Sequence, residues 1–140
     1  MLRYVVQSTK ANEKTVLVIE DEASIAEVCT RVFRGEGLKV SVVPDGEAAL
    51  NLLSEEGFAF VLVDIRTPRM NGIEFYRHLE KRYPGMAGKV IFTTGDVLSS
   101  DIKTFLDEAE CLYLAKPFTP DELKGIARDM LDGKGRKRSE

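Results

Sequence analysis

Five short apolar runs, separated by stretches of helical periodicity, restrict what this chain can fold into. The runs lie near 15–19, 38–43, 58–63, 89–93 and 111–114 and are rich in Val, Ile, Leu and Phe. Near-continuous hydrophobicity marks a strand buried on both faces; only the second run departs from it, with Lys39 and Ser41. Between the runs, Ile25, Val28, Cys29, Val32 and Phe33 keep the spacing of a core-facing helix that Gly35 and Gly37 would end. A second helix begins at Asp45-Gly46 and is expected to bury Ala49, Leu50, Leu52 and Leu53 before Gly57. A third starts around Gly72, buries Ile73, Tyr76 and Leu79, and stops before Pro84. The fourth, near 99–109, carries Ile102, Phe105, Leu106 and Ala109. In the fifth, Thr119 supplies an N-cap, Pro120 the first helical position and Glu122 a capping-box partner, ahead of a buried stripe of Leu123, Ile126, Ala127, Met130 and Leu131.

Strict alternation of five strands and five helices implies an α/β, (βα)5 doubly wound parallel five-stranded sheet. Right-handed crossovers permit the strand order 2-1-3-4-5, with a site beyond the carboxyl ends of the strands. A chain of 140 residues suits one domain, here 14–132, preceded by an arm over 1–13 and followed by a basic tail or linker stub over 133–140. The tail's basic cluster reads as a solvated chain end.

Composition excludes several classes. A chain 44% hydrophobic and 31% charged is globular, and a net charge of −3 argues against a dedicated nucleic-acid binder. The longest apolar stretch, 58–63, is too short to cross a bilayer, and the first fifteen residues lack the apolar core of a signal peptide. Cys29 and Cys111 have no metal-site spacing and read as buried, reduced thiols, in keeping with a cytoplasmic setting. His78, the single histidine, reads as a solvated residue of the third helix.

The ends of the runs carry the chemistry. The first runs into Glu20 and Asp21, the third into Asp64, the fourth into Thr94 and the fifth into Lys116. Each has an ordinary explanation alone: a turn-forming Asp, or acids complementing a helix dipole at EDEAS. In the order 2-1-3-4-5, however, the first and third strands are neighbours, so three carboxylates meet. Two of them about 4 Å apart repel by about 4 kcal/mol at an effective dielectric of about 20. Mg²⁺ offsets such crowding, since it favours oxygen ligands and is held by one or two carboxylates together with phosphate and water. Lys116 is placed to pair with the acids and then with a phosphoryl oxygen; Thr94 can donate its hydroxyl to one, with Gly95 leaving room for a ligand.

At these residues the chain resembles the receiver domains of two-component response regulators. VLVIEDE, VLVDIRTPRMNG, IFTTGD and YLAKPF match the family's four signature segments, and the resemblance covers about 15–132. It implies a flavodoxin-like receiver fold in which Asp64 accepts a phosphoryl group from a phosphohistidine of a histidine kinase or histidine phosphotransfer protein. It also implies Mg²⁺ (or Mn²⁺) ligation by Asp21, Asp64 and the backbone carbonyl of Arg66, with Glu20 assisting through water. Thr94 and Lys116 would bind the phosphoryl oxygens, and Tyr113 would be the aromatic rotamer switch. The readout would be the surface of the fourth helix, fifth strand and fifth helix, which serves a downstream effector, a fused domain or a homodimer. Many receivers have Asp where this chain has Glu20, a departure that keeps the charge and moves the carboxylate by one methylene.

Such a domain catalyses its own modification and slow dephosphorylation and is not a turnover enzyme. Arg66 and Asp96, each two residues beyond a site residue, are expected to pair across the site mouth and slow attack by water. Two rival readings are a phosphorylation-independent interaction module and a Mg²⁺-dependent phosphohydrolase of the haloacid dehalogenase type. The latter expects a second acid where this chain has Arg66. Two contexts remain open: a single-domain regulator, or the receiver of a hybrid histidine kinase, whose receivers often read like FTTGD followed by LxKPF.

Overall fold

The computed structural model describes residues 14–53, 57–96 and 99–134. The arm over 1–13 and the tail from 135 onward lie outside the described residues. Five parallel strands, β1 (Thr15–Ile19), β2 (Lys39–Val43), β3 (Phe60–Asp64), β4 (Val90–Thr94) and β5 (Leu112–Ala115), form one sheet in the order β2-β1-β3-β4-β5. Between and after them run α1 (Ala23–Gly35), α2 (Gly46–Leu52), α3 (Gly72–Arg82), α4 (Ser100–Ala109) and α5 (Pro120–Leu131). One unforeseen helical turn, Pro84–Ala87, follows α3, where proline at its first position ends one helix and opens the next.

The sheet separates two apolar layers. On one face Val16, Val18, Phe60, Leu62 and Ile91 pack against Cys29, Val32 and Phe33 of α1 and Leu123, Ile126, Ala127 and Met130 of α5. On the other, Leu17, Ile19, Val61, Val63, Val90 and Phe92 meet α2, α3 and α4. There Tyr76, Phe92 and Phe105 pack edge to face around one another. Burying each such large apolar side chain stabilises the fold by about 1.5–3 kcal/mol, which fixes the strand ends relative to one another.

The caps follow the sequence closely. Asp45, Asn71 and Thr119 each accept a backbone N–H of the helix they open, and the last two complete capping boxes with Glu74 and Glu122. After α1, Gly37 takes φ 83° while its N–H and that of Leu38 close back on Arg34 and Phe33, a left-handed helix end suited to glycine. Two expected core residues are not core. Leu52 and Leu131 are nearly half exposed, because each falls on the last turn of its helix, where the chain is already leaving the sheet. On α3 the fully buried position is Phe75, beside Tyr76 and Leu79, while Ile73 is only partly covered. Cys29 and Cys111 are free and buried, and burial pushes the Cys29 thiol up to about 12.

Candidate functional site

Strand alternation decides which side chains converge. Val16, Val18 and Glu20 leave one face of the sheet; so do Phe60, Leu62 and Asp64, and Leu112, Leu114 and Lys116. Glu20, Asp64 and Lys116 therefore rise together at the carboxyl edge on the side covered by α1 and α5. Thr94 continues Val90 and Phe92 on the opposite face, and Tyr113, the register partner of Phe92, lies there too.

The acids do gather. Carboxylate oxygens of Glu20, Asp21 and Asp64 lie within 4.8 Å of one another. Asp21 is exposed, whereas Glu20 and Asp64 are only 3% and 5% exposed. Lys116 bridges the buried pair, its Nζ 2.9 Å from Glu20 Oε1 and 3.0 Å from Asp64 Oδ2. Backbone donors complete the set: Glu22 N–H donates to Glu20 Oε2 (3.1 Å) and Arg66 N–H to Asp64 Oδ1 (3.1 Å). Burial raises the Glu20 pKa, against the lowering effect of the Lys116 hydrogen bond. For Lys116, burial alone would lower the pKa, yet its hydrogen bonds to Glu20 and Asp64 and the charge of both acids make the net shift upward. An all-oxygen, multiply anionic set open on the Asp21 side suits a hard divalent ion such as Mg²⁺.

The loop after β3 is held from below. Gly72 N–H donates to Ile65 O, and a Cβ on Gly72 would lie 2.9 Å from Ile65 Cα and 3.0 Å from Asp64 O, so only glycine lets α3 begin this close to the strand end. Thr67 Oγ1 donates to Met70 O, and Arg69, at φ 63°, donates from Nε to Asp45 Oδ2 at 2.7 Å. Asp45 is thus shared between the α2 N-terminus and this loop, and its pKa is lowered first by the Ala48 N–H and, against its burial, by Arg69. The Arg69 contact was not foreseen, since nothing in the sequence separates an exposed loop arginine from one that closes onto a helix cap.

On the rim, Arg66 pairs with Asp96 as expected. Two residues beyond Asp64, this arginine occupies the position where a dehalogenase-type site needs a second acid. Thr94 is fully buried and its Oγ1 accepts the Asp96 N–H at 3.0 Å, tying the strand end to the rim. Tyr113 is 43% exposed. His78 is exposed. The Lys116–Pro117 peptide is cis, and beside it opens a cleft of about 390 Å³ lined by Ser24, Ile25, Val28, Lys116, Pro117 and Phe118. Glu22, 3.9 Å from Lys116, joins the edge of the charge network and was not anticipated. Among the described residues no helix is long and apolar enough to cross a membrane.

Comparison with known proteins agrees with this geometry. A sequence model of the response regulator receiver domain family matches residues 16–128. The chain is 35% identical over 116 residues to the DNA-binding response regulator MtrA of Mycobacterium tuberculosis (strain H37Rv), covering 83% of this chain and 50% of that protein. It is 33% identical over 114 residues to the transcription factor SKN7 of Saccharomyces cerevisiae, covering 79% of this chain and 18% of that protein. The chain therefore spans about half, or less, of the length of these curated relatives. Among solved structures, a CheY-like response regulator receiver domain protein from Methanospirillum hungatei JF-1 superposes with a TM-score of 0.77 at 29% identity, covering 86% of this chain and 95% of that one. The receiver domain of sensor histidine kinase PA1611 from Pseudomonas aeruginosa PAO1, which has a magnesium ion coordinated in its active-site cleft, gives 0.75 at 26% identity, covering 85% and 98%.

Proposed function

The chain belongs to the response regulator receiver domain family, and from that premise we propose that Asp64 is its phosphoacceptor in two-component signalling. The observation that carries this reading is the meeting of Glu20, Asp21 and Asp64 within 4.8 Å, with Lys116 bridging the two buried acids. The donor is a phosphohistidine of a histidine kinase or histidine phosphotransfer protein. A carboxylate oxygen of Asp64 attacks phosphorus in line; the new O–P bond forms as the P–N bond breaks, and the electron pair leaves on the imidazole nitrogen. Asp21, Asp64 and the Arg66 carbonyl would hold Mg²⁺ or Mn²⁺, with Glu20 acting through water. When bound, such an ion supplies Lewis-acid neutralisation of phosphoryl charge.

The residues of the chain do the rest. Lys116 moves its ammonium from the carboxylates to the phosphoryl oxygens, where charge builds up. Thr94 gives up the Asp96 N–H and donates its hydroxyl to the same group. Thr94 and Tyr113 share the α4 face of the sheet, so a shift of Thr94 toward the edge frees space for the Tyr113 ring and biases the α4-β5-α5 surface. That surface is the proposed contact for an effector, a fused domain or a second copy. Arg66 and Asp96 screen the phosphoryl group from water. The domain acts on itself, in a cytoplasmic setting, and does not turn over a substrate pool. Nucleic acid is not a proposed partner of this domain.

The test is incubation with acetyl phosphate and Mg²⁺, read by intact mass. Wild type should gain one phosphoryl group, acid-stable and base-labile, and Asp64→Asn should gain none. Failure to label beside a receiver that does label would favour a phosphorylation-independent module. Steady turnover of a phosphomonoester by the pure chain would favour a phosphohydrolase.

A further inference from the structure

Thr93 precedes Thr94 at the end of β4 and has no part in the chemistry above. It is fully buried, and its Oγ1 is the one buried side-chain polar atom without a hydrogen-bond partner among the described residues. A buried hydroxyl left unpaired is costly, and valine has nearly the same shape without that cost. Its placement supplies a reason. Register pairs Thr93 with Asp64 on one side and Leu114 on the other. Ile91, two residues earlier, packs into the layer under α1 and α5, so the Thr93 side chain leaves the sheet on that same face, as Asp64 and Lys116 do. Neighbouring strands are about 4.8 Å apart, so the Thr93 side chain is rooted one strand spacing from that of Asp64, on the same face of the sheet.

We propose that Thr93 is a positioning donor for Asp64: its hydroxyl turns to the carboxyl oxygen that Lys116 releases when the ammonium moves to an arriving phosphoryl group. The reading rests on Asp64 being the phosphoacceptor. Asp64 Oδ1 keeps the Arg66 N–H, while Oδ2 loses its cation at the moment the carboxyl must hold its plane. Thr93 supplies that missing donor, keeps its own proton and takes no part in bond exchange.

Two variants test it, Thr93→Val and Thr93→Ser, each measured for melting temperature without phosphodonor and for labelling rate with acetyl phosphate and Mg²⁺. Thr93→Val should melt above wild type, because the unpaired hydroxyl is gone, yet label about tenfold more slowly; Thr93→Ser should label at close to the wild-type rate. A Thr93→Val protein that labels like wild type overturns the proposal and leaves the phosphoacceptor reading intact. So does one that melts below wild type, or a Thr93→Ser as slow as Thr93→Val, which would point to the methyl group. Wild type that does not label overturns both.

Discussion

Replacing Lys116 with methionine removes the one cation that, among the described residues, touches both Glu20 and Asp64, and its consequences can be worked through. Glu20 and Asp64 keep carboxylate oxygens within 4.8 Å of each other, a separation at which two unit charges repel by about 3.5 kcal/mol at an effective dielectric of about 20. Lys116 retains 16% side-chain exposure, so water screens part of this, and a loss of about 3 kcal/mol is expected, at the lower end for breaking a buried pair. For a domain of this size that is about 12 °C in melting temperature. The pH dependence has a definite sign. Burial already holds the Glu20 pKa above 4.5, so its contribution to stability is greatest below that value and is lost as pH rises through the raised one. Without Lys116 the carboxyl rises further, so the deficit should be small in acid and develop toward alkaline pH, as pH rises through the raised value.

Mg²⁺ gives the second half of the test. An ion at about 100 times its dissociation constant stabilises the folded state by about 2.7 kcal/mol. Lys116 competes for the same oxygens, so the variant should bind the ion more tightly than wild type and recover most of its deficit. Thermal melts followed by circular dichroism at acid and at alkaline pH, with and without Mg²⁺, read all four corners. Equal melting temperatures for variant and wild type at alkaline pH, or a deficit that widens in Mg²⁺, would refute the electrostatic reasoning.

Three further outcomes are expected. Replacing Arg66 and Asp96 together with alanine should shorten the phosphoryl lifetime severalfold while leaving thermal stability within about 0.5 kcal/mol, because the pair is exposed; an unchanged dephosphorylation rate removes the screening role. Gly72→Ala forces a Cβ against the backbone of Ile65 and Asp64 and should cost about 1–3 kcal/mol in denaturant melts and slow labelling, since the strand end carrying Asp64 must move. Asp45→Ala removes both the α2 cap and the Arg69 anchor and should cost about 1–2 kcal/mol at neutral pH. The Asp45 pKa is held below 3.8, so its contribution is present above that value and lost as pH falls through the lowered one; the gap between wild type and variant should close in acid.

How much of this was legible depended on which kind of information each feature required. Strand order, the five helices and the Asn71 and Thr119 boundaries follow from periodicity and local side-chain-to-backbone bonds, which are short-range. The convergence of Glu20, Asp21, Asp64 and Lys116 was readable because a parallel sheet sends every strand end to one edge. Leu52 and Leu131 misled because a helical stripe says which face is apolar but not how far along the helix the sheet extends beneath it. Arg69 on Asp45 and the unpaired Thr93 stayed hidden because each depends on register or loop closure between segments far apart in sequence.

The Arg69–Asp45 contact and the unpaired Thr93 bear on the same problem. A site for a divalent ion and a phosphoryl group must keep its acids close even when neither ligand is present, which works against stability. Lys116 offsets the repulsion between Glu20 and Asp64 from inside the cluster, while Asp45 and Arg69 hold the loop that would otherwise let Asp64 swing away. Thr93 adds a further local cost by leaving a hydroxyl unpaired in the layer beneath. Variants at Lys116 and Thr93 should therefore move stability in opposite directions yet both impair phosphoryl transfer. That separation is what distinguishes a site shaped by its chemistry from an apolar sheet edge with acids on it.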